Sequence, residues 1–582
     1  MQEFLQAIHD LGAMPLTAGG LTFGSLFWGI IRFLMPLLAF LVLFRCAKPL
    51  LGFRKEPEIW AWLCLPDGNQ LPITHWENVI GRHKRSDIVV DYPTISRSHA
   101  VLTRYDDGSW TISDIGSMGG VTVNGEKVSI CALEDGDVIS LGGLDMTLEP
   151  ITHHQEVYQT TLRTQAGKTM RPWFTLMILT LFQLLVCTQL LFTAEAEHLL
   201  DIGKGFGSLI AIEWLLYVTF RIIRRKGFEV EALAFFLSTM GMAVIASVSP
   251  GEAMKQIIAM VLGIVIFLVV GWSLRDLERA KKMRYLAAGG GLLLLAVNLA
   301  FGVEVYGAKN WIFIGSMSFQ PSELVKICFV FAGASAMDRI VTKRNLFLFI
   351  VYSGVVCGCL ALMNDFGSAV IFFAAFLVIA YLRSGNLGTI ALMCSSVGIA
   401  GVMVVKFKPH ALNRFSAWRH IWEDPYGRGF QQTRALMCLA AGGLLGLGGG
   451  NGKLKNIFAA DADIVFATVS EEWGLLIGVM MIAAIVCLAV FVVRSASVGR
   501  SSFYTISACA AVSILMVQTI LNALGTVDFL PFTGVTFPFV SNGGSSMMSA
   551  WGLLAFIKAV DTRQNASFAI RLPSRKKEAA YE

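Results

Sequence analysis

From Pro172 onward the chain is a ladder of apolar runs, and no other feature constrains its fold as tightly. The runs lie near 172–192, 206–220, 232–248, 257–272, 285–301, 324–337, 346–363, 366–382, 388–405, 474–493, 503–524 and 543–560. A helix needs about 20 apolar residues to cross a bilayer, and these runs approach that length. Backbone groups in lipid have to pair internally, so each run is expected as a helix. A further run, about Leu21–Phe44, stands ahead of them. No cleavage site of small residues follows it, so it is expected as an anchor and not a removed leader. Only 15% of the 582 residues are charged and 55% are hydrophobic, whereas soluble domains average about 25% charged. An ordinary soluble enzyme and a disordered scaffold are thereby excluded. The fold class expected is a polytopic α-helical membrane protein with about 13 transmembrane helices. The eleven cysteines sit mostly in apolar runs without metal-ligand partners, so free thiols are expected and not a disulfide framework.

Charge sets the expected topology. Glu3 and Asp10 precede the first run, and Arg45, Lys48, Arg54 and Lys55 follow it, so its C-terminal end is expected on the cytoplasmic side. With residue 171 also inside, five short inside loops carry fifteen Lys and Arg, and five short outside loops carry only Lys204, Lys255 and Lys309. The basic tail, with Arg575, Lys576 and Lys577, lands inside as well. One outside loop, about Lys406 to Ser470, breaks the pattern with eight basic residues. Long loops translocate largely regardless of charge; the alternative is that this loop faces an anionic ligand.

Residues 56–150 follow a different period. Apolar and polar residues alternate, as in Ile59–Leu65, between turn signals Asp67-Gly68, Asp107-Gly108, Asn124-Gly125 and Asp135-Gly136. Short strands at this spacing predict a small antiparallel sandwich. The expected organisation is an anchor at 1–55, the β-domain at 56–150, a linker at 151–171, two additional transmembrane helices at 172–228, a membrane core at 229–562 and a basic tail at 563–582.

Three expected outside segments are polar and rich in glycine and proline. The first runs Gly307-Ala308-Lys309-Asn310-Trp311 and on through Gln320-Pro321-Ser322-Glu323-Leu324-Val325-Lys326. The second holds Gly429-Phe430-Gln431-Gln432, then Gly442-Gly443-Leu444-Leu445-Gly446-Leu447-Gly448. It ends Asp461-Ala462-Asp463-Ile464-Val465-Phe466-Ala467 and Glu471-Glu472-Trp473-Gly474. The third is Phe537-Pro538-Phe539-Val540-Ser541-Asn542-Gly543-Gly544-Ser545-Ser546. Irregular backbone at membrane depth survives only where protein covers it or it lines a cavity, so the three segments are expected to converge on one site.

In their order these motifs resemble the FtsW/RodA/SpoVE (SEDS) family over about residues 230–560. The resemblance implies a ten-helix SEDS core and a peptidoglycan glycosyltransferase that polymerises lipid II at the outer face of the membrane. It maps the catalytic acid to Asp463, as general base to the attacking sugar hydroxyl. Asp461 competes for that role, and a structural carboxylate capping the next helix is the other reading of Asp463. A lipid pyrophosphate leaving group needs donors or a cation, for which Arg414, Arg419, Lys309 and Lys326 are candidates. A divalent cation, Mg or Mn, is compatible, but no ligand cluster demands one, and no metal site is assigned. Trp311, Glu323, Gln431, Ser541 and Ser545 complete the implied substrate-binding set. Glu323 and Lys326 lie three apart and can instead pair with each other. Trp311 can equally anchor at the interface. Asp365, Glu471 and Glu472 are expected at helix starts. The chain departs from the family pattern at Asn310, where an arginine is usual, at Asn364, where a proline is, and at Asp528.

The β-domain carries Ile80-Gly81-Arg82, Ser96-Arg97-Ser98-His99, Asp114-Ile115-Gly116-Ser117 and Asn124-Gly125, and resembles a forkhead-associated (FHA) domain. The resemblance implies a cytoplasmic phosphothreonine-binding module, with Arg82, Ser96, Arg97 and Ser117 at the phosphate and His99 ordering the loops. Gly119 and Val121 replace the usual asparagine and threonine, leaving a degenerate scaffold domain as the alternative. The implied partners are lipid II, the lipid bilayer, a class B penicillin-binding protein that supplies transpeptidation, a phosphothreonine-containing protein and a Ser/Thr kinase, with no nucleic acid. A lipid II flippase and a membrane scaffold for a phosphorylated partner are the competing functions.

Overall fold

The computed structural model of the chain describes residues 1–16, 22–52, 58–84, 86–105, 108–152, 154–155, 171–225, 227–305, 307–315, 317–338, 343–384, 387–388, 390–395, 398, 401, 412, 415–496, 501–561 and 567. Among them, eight helices are long and apolar enough to cross a membrane, and two shorter apolar helices cover Phe347–Leu362 and Phe366–Leu382. The chain is a multi-pass helical membrane protein with an all-β domain inserted after its first long helix. The run expected at 388–405 falls in good part outside the described residues, as do most of the linker and the tail. All eleven cysteines are free; Cys46, Cys487 and Cys509 are buried, while Cys394 is exposed.

The β-domain is a sandwich of two sheets. One has six strands in the order Gln70–Ile73, Ala61–Cys64, Leu144–Pro150, Val138–Leu141, Val121–Val123 and Glu126–Val128. The other has five, in the order Ile88–Val89, Glu77–Gly81, Ala100–Arg104, Trp110–Asp114 and Ile130–Leu133. Alternate residues turn inward, so Ala61, Leu63, Ile112, Val121, Ile139, Leu141 and Met146 are buried, as the period of two requires. The Val123↔Glu126 register closes a two-residue hairpin on Asn124 (φ 51°) and Gly125 (φ 86°), the left-handed pair a primed turn demands.

The membrane part is centred on helix Glu229–Val248, which is buried over nearly its whole length. Gly241 makes that burial possible: a Cβ there would lie 2.6 Å from the Val540 carbonyl oxygen. Helices Ala253–Ser273 and Gly544–Ala559 pack together beside it. Helices Phe23–Leu51 and Pro172–Thr193 clasp its other flank, where Gln183 Nε2 donates to Glu213 (2.7 Å) and to Thr239 (3.1 Å). Helix Phe23–Leu51 also reaches the end of helix Val465–Trp473, with Trp28 edge-on to Trp473 at 5.8 Å, and a Cβ on Gly448 of the glycine-rich loop would lie 3.2 Å from the Trp28 ring. Thr193 Oγ1 donates to the Gly449 carbonyl at 2.8 Å.

Several elements have no counterpart in the sequence expectations. A helix occupies Gln2–Ala13, a second covers Phe430–Gly442 inside the long polar loop, and a three-stranded sheet spans Val303–Val305, Ala308–Ile314 and Met317–Phe319.

Candidate functional site

The Asp461–Asp463 turn leads into helix Val465–Trp473 and is held by its backbone. The Asn542 amide donates to the Asp461 carbonyl (2.7 Å), Ser541 Oγ to the Ala462 carbonyl (2.6 Å) and Asn522 Nδ2 to the Asp463 carbonyl (2.9 Å). Three successive carbonyls are thus fixed by two distant segments, the Phe537–Ser546 stretch and helix Ser502–Thr526. Asn522 Nδ2 also donates to the Val535 carbonyl at 2.8 Å, which ties those segments to each other. Behind the turn, Ala459 takes φ 56° and its carbonyl accepts from the Asp463 amide.

Both aspartates of this turn are half-buried. Asp461 Oδ2 accepts from Ser249 Oγ and Asn542 Nδ2, each at 2.8 Å, and so braces the turn. The N-cap of the following helix is Ile464, which has no polar side chain to cap with.

Glu471 and Glu472 lie in the last turn of helix Val465–Trp473, not at a helix start, because the helix begins six residues earlier. Glu471 accepts from the Lys453 and Leu454 amides, both at 2.9 Å. Glu472 accepts from Ser247 Oγ. Both are buried; the Glu471 carboxylate shapes the 447–454 loop, the Glu472 carboxylate ties the helix to Glu229–Val248, and their carbonyls accept from the Leu447 and Gly448 amides. Asp365 does cap its helix: Oδ1 accepts from the Ser368 amide at 3.0 Å. Its Oδ2 accepts from Asn310 and Gln320, both at 3.2 Å. Asn310, the departure from the family pattern, is therefore part of a polar knot joining the first segment to helix Phe366–Ser384.

The remaining sequence candidates are distributed around this framework. Lys326 Nζ is buried and donates to Glu323 at 2.6 Å. Lys309 Nζ donates to the Leu299 carbonyl at 2.8 Å, and Trp311 is half-buried in the neighbouring sheet. Gln431 Nε2 donates to the Phe458 carbonyl at 2.9 Å, just ahead of the aspartate turn. Ser541 is buried and accepts from the Phe537 amide while donating to Ala462. Ser545 accepts from the Gln320 amide at 2.9 Å, which brings the first and third segments together. Arg419 is exposed, 5.3 Å over the Trp418 ring, with its amide donating to Asp528. Asp528 also accepts from Gln432, so this departure from the family pattern pins the long loop. Arg414 lies outside the described residues. Asn522 and Ser249 lie outside the three motif segments, and Asn542 and Gln432, which lie within them, carry no local sign of their partners. Among the described residues no group of three or more His, Cys, Asp and Glu is placed to hold a metal ion.

At the sandwich, the loops around Arg82 and Arg97 present both guanidinium groups on the exposed surface. His99 is buried; its Nδ1 accepts from the Ser96 amide (3.1 Å), so Nε2 carries the proton and donates to the Gly120 carbonyl (2.9 Å). That ring thus orders two loops. Ser96 Oγ accepts from the Met118 amide (3.0 Å), and Ser117 Oγ from the Gly120 amide (2.9 Å). At Gly119 a Cβ would lie 2.7 Å from Gly142 Cα, so the asparagine usual in this loop has no room. Farther along, the Glu134 amide and Asn124 side chain hold the Asp137 carboxyl below its ordinary pKa, as hydrogen bonds to a charged form do.

Residues 230–566 match the family model described as "Cell cycle protein" and named for FtsW, RodA and SpoVE, and residues 78–142 match the FHA domain. A "Probable peptidoglycan glycosyltransferase FtsW" of Wigglesworthia glossinidia brevipalpis is 30% identical over 304 residues, covering 50% of this chain and 78% of that protein. A "Peptidoglycan glycosyltransferase RodA" of Mycobacterium tuberculosis is 28% identical over 331 residues, covering 53% of this chain and 70% of that one. A solved peptidoglycan synthase complex has a chain 24% identical, with TM-score 0.49, covering 57% of this chain and 96% of its own. By the family match over residues 230–566, with the motifs in their order, the chain belongs to the FtsW/RodA/SpoVE family, and it bears an FHA domain ahead of that core.

Proposed function

We propose that the chain polymerises lipid II into glycan strands with Asp463 as general base, and that its FHA domain docks a phosphothreonine-containing protein. The clamp on the carbonyls of residues 461, 462 and 463 carries the proposal: it brings the second and third motif segments onto one carboxylate-bearing turn. The Asp463 carboxylate takes the proton of the acceptor sugar hydroxyl as that oxygen bonds to the anomeric carbon of the donor. The bond from that carbon to the lipid pyrophosphate breaks, and the electron pair leaves with the diphosphate. One displacement inverts the centre, so an α-linked donor gives a β-linked glycan. Arg419 meets the diphosphate charge, with Arg414 of the same loop; Lys309 and Lys326, already bonded to Leu299 and Glu323, act by holding their segments. Trp311 and Gln431 meet the sugars. Ser541 and Ser545, engaged inside the protein, position the motif backbone. The loop-charge asymmetry supports a cytoplasmic FHA domain and an outward-facing site. A class B penicillin-binding protein supplies transpeptidation, and a Ser/Thr kinase supplies the phosphate. Labelled lipid II given to the purified chain in detergent tests this reading, because no second membrane face exists there. Muramidase-sensitive glycan is the expected product; unchanged lipid II would leave transport or scaffolding in its place.

The phosphate reading has its own test. Hydrogen bonds to charged groups contribute about 1.5–3 kcal/mol, so Arg82→Ala or Arg97→Ala weakens binding of a threonine-phosphorylated peptide pool by roughly 10- to 100-fold. Fluorescence anisotropy with the full chain measures this, and equal affinity for the unphosphorylated pool would reduce the domain to a scaffold.

A further inference from the structure

We propose that helix Ser502–Thr526 is a strut that transmits occupancy of the phosphopeptide loops to the Asp463 turn, with Glu77 of the sandwich as the coupling residue. The proposal rests on the function proposed above and adds its regulation.

At one end of the helix, Glu77 reaches out of the sandwich. Its carboxylate accepts from Ser501 Oγ (3.4 Å), the Ser502 amide (3.2 Å) and Ser502 Oγ. A carboxylate on the first amides of a helix satisfies donors without an intrahelical partner and complements the positive end of the dipole. The membrane core seats the same turn from its own side, with Phe503 buried and Tyr504 Oη donating to the Leu274 carbonyl at 2.9 Å. The helix start is thus held jointly by two domains.

Between its ends the helix has the means to act as one body. Its 25 residues span about 37 Å at 1.5 Å each, with no internal proline to kink it. Most of it is buried against neighbouring helices. At the far end, Asn522 holds the Asp463 and Val535 carbonyls. Gln432 of the long loop donates to Gly525 at 2.9 Å, and Asp528 just beyond the helix accepts from the Arg419 amide. The segments that carry Asp463, Gln432 and Arg419 are thus each bonded to this helix end or to Asp528 just beyond it.

The input side is as direct. Glu77 opens the strand Glu77–Gly81, and Arg82 follows it without interruption. Five strand residues cover about 16 Å, so phosphate loop and helix cap are the two ends of one strand. A phosphate brings about two negative charges to the Arg82 end. Any tilt of that strand as the loops close moves the Glu77 end against Ser502.

The test uses the full chain in nanodiscs, with a pool of threonine-phosphorylated peptides of randomised flanks and its unphosphorylated counterpart. Binding, glycan formation from labelled lipid II, and hydrogen exchange of the 502–508 amides are read together. In the wild type the phosphorylated pool changes the polymerisation rate about fivefold, at the low end of ordinary coupling, and alters exchange at 502–508. In Glu77→Ala the pool still binds, but rate and exchange no longer respond. Ser502→Ala changes only the helix side, keeps the sandwich intact and blunts the response in the same way. Binding without a response in the wild type overturns the strut alone, as does an undiminished response in both variants. No binding by the wild type removes the docking reading and the strut with it. If the wild type binds but makes no glycan, the polymerase reading fails, and a wild-type exchange response that persists in both variants overturns the strut independently.

Discussion

Asp463→Asn abolishes glycan formation while leaving the protein folded. Removing a positioned base costs on the order of 10²–10⁴ in rate, since the amide oxygen cannot take the proton of the attacking hydroxyl. The fold survives because the turn is fixed through main-chain groups. The Asp461, Ala462 and Asp463 carbonyls take their bonds from Asn542, Ser541 and Asn522, and the substitution changes none of these groups. An unchanged melting transition in detergent, beside lost incorporation of labelled lipid II, is the expected pair of results. Substantial polymerisation by the variant would take the base assignment away from Asp463.

Lys558→Met is the largest expected loss of stability. Lys558 Nζ lies fully buried between the Glu231 carboxylate at 3.0 Å and the Gly227 carbonyl at 2.9 Å. Removing one partner of a buried ion pair costs about 3–5 kcal/mol, because the other charge is left unpaired away from water. The strain falls on helix Glu229–Val248, against which helices Phe23–Leu51, Pro172–Thr193 and Leu199–Ile222 pack. Thermal unfolding in detergent shows a lowered transition for the single variant. The double variant Glu231→Gln with Lys558→Met recovers much of the loss, since it strands no charge. A single variant as stable as the wild type would mean that the pair is not a structural element.

Local chemistry explains what could be read without the structure. The apolar runs announce helices because lipid permits little else, and Asn124-Gly125 announces a hairpin because few other pairs accept its dihedrals. The Glu323–Lys326 pair follows from a spacing of three on a helix. Asp365 at the head of its helix is legible in the same way. What stayed hidden depends on distant partners. Nothing near Asn522 says that its amide reaches a turn 59 residues away, and nothing near Ser249 points to Asp461. The helix Phe430–Gly442 is short and mixed in character, so it reads as part of a polar loop. Glu471 and Glu472 misled by proximity: the apolar run after Gly474 looks like their helix, but they close the preceding one and face the 447–454 loop. Gly119 is a departure in sequence and a packing necessity in space, because Gly142 occupies the room a side chain needs.

The most direct test sets Asp463→Asn beside Asp461→Asn in one preparation, with the number of glycosidic bonds formed from labelled lipid II as the readout. Asp461 braces the turn by accepting from Ser249 and Asn542, which an amide oxygen also does, so its variant keeps making glycan while the Asp463 variant makes none. The reverse order, with Asp463→Asn active and Asp461→Asn silent, would contradict the account.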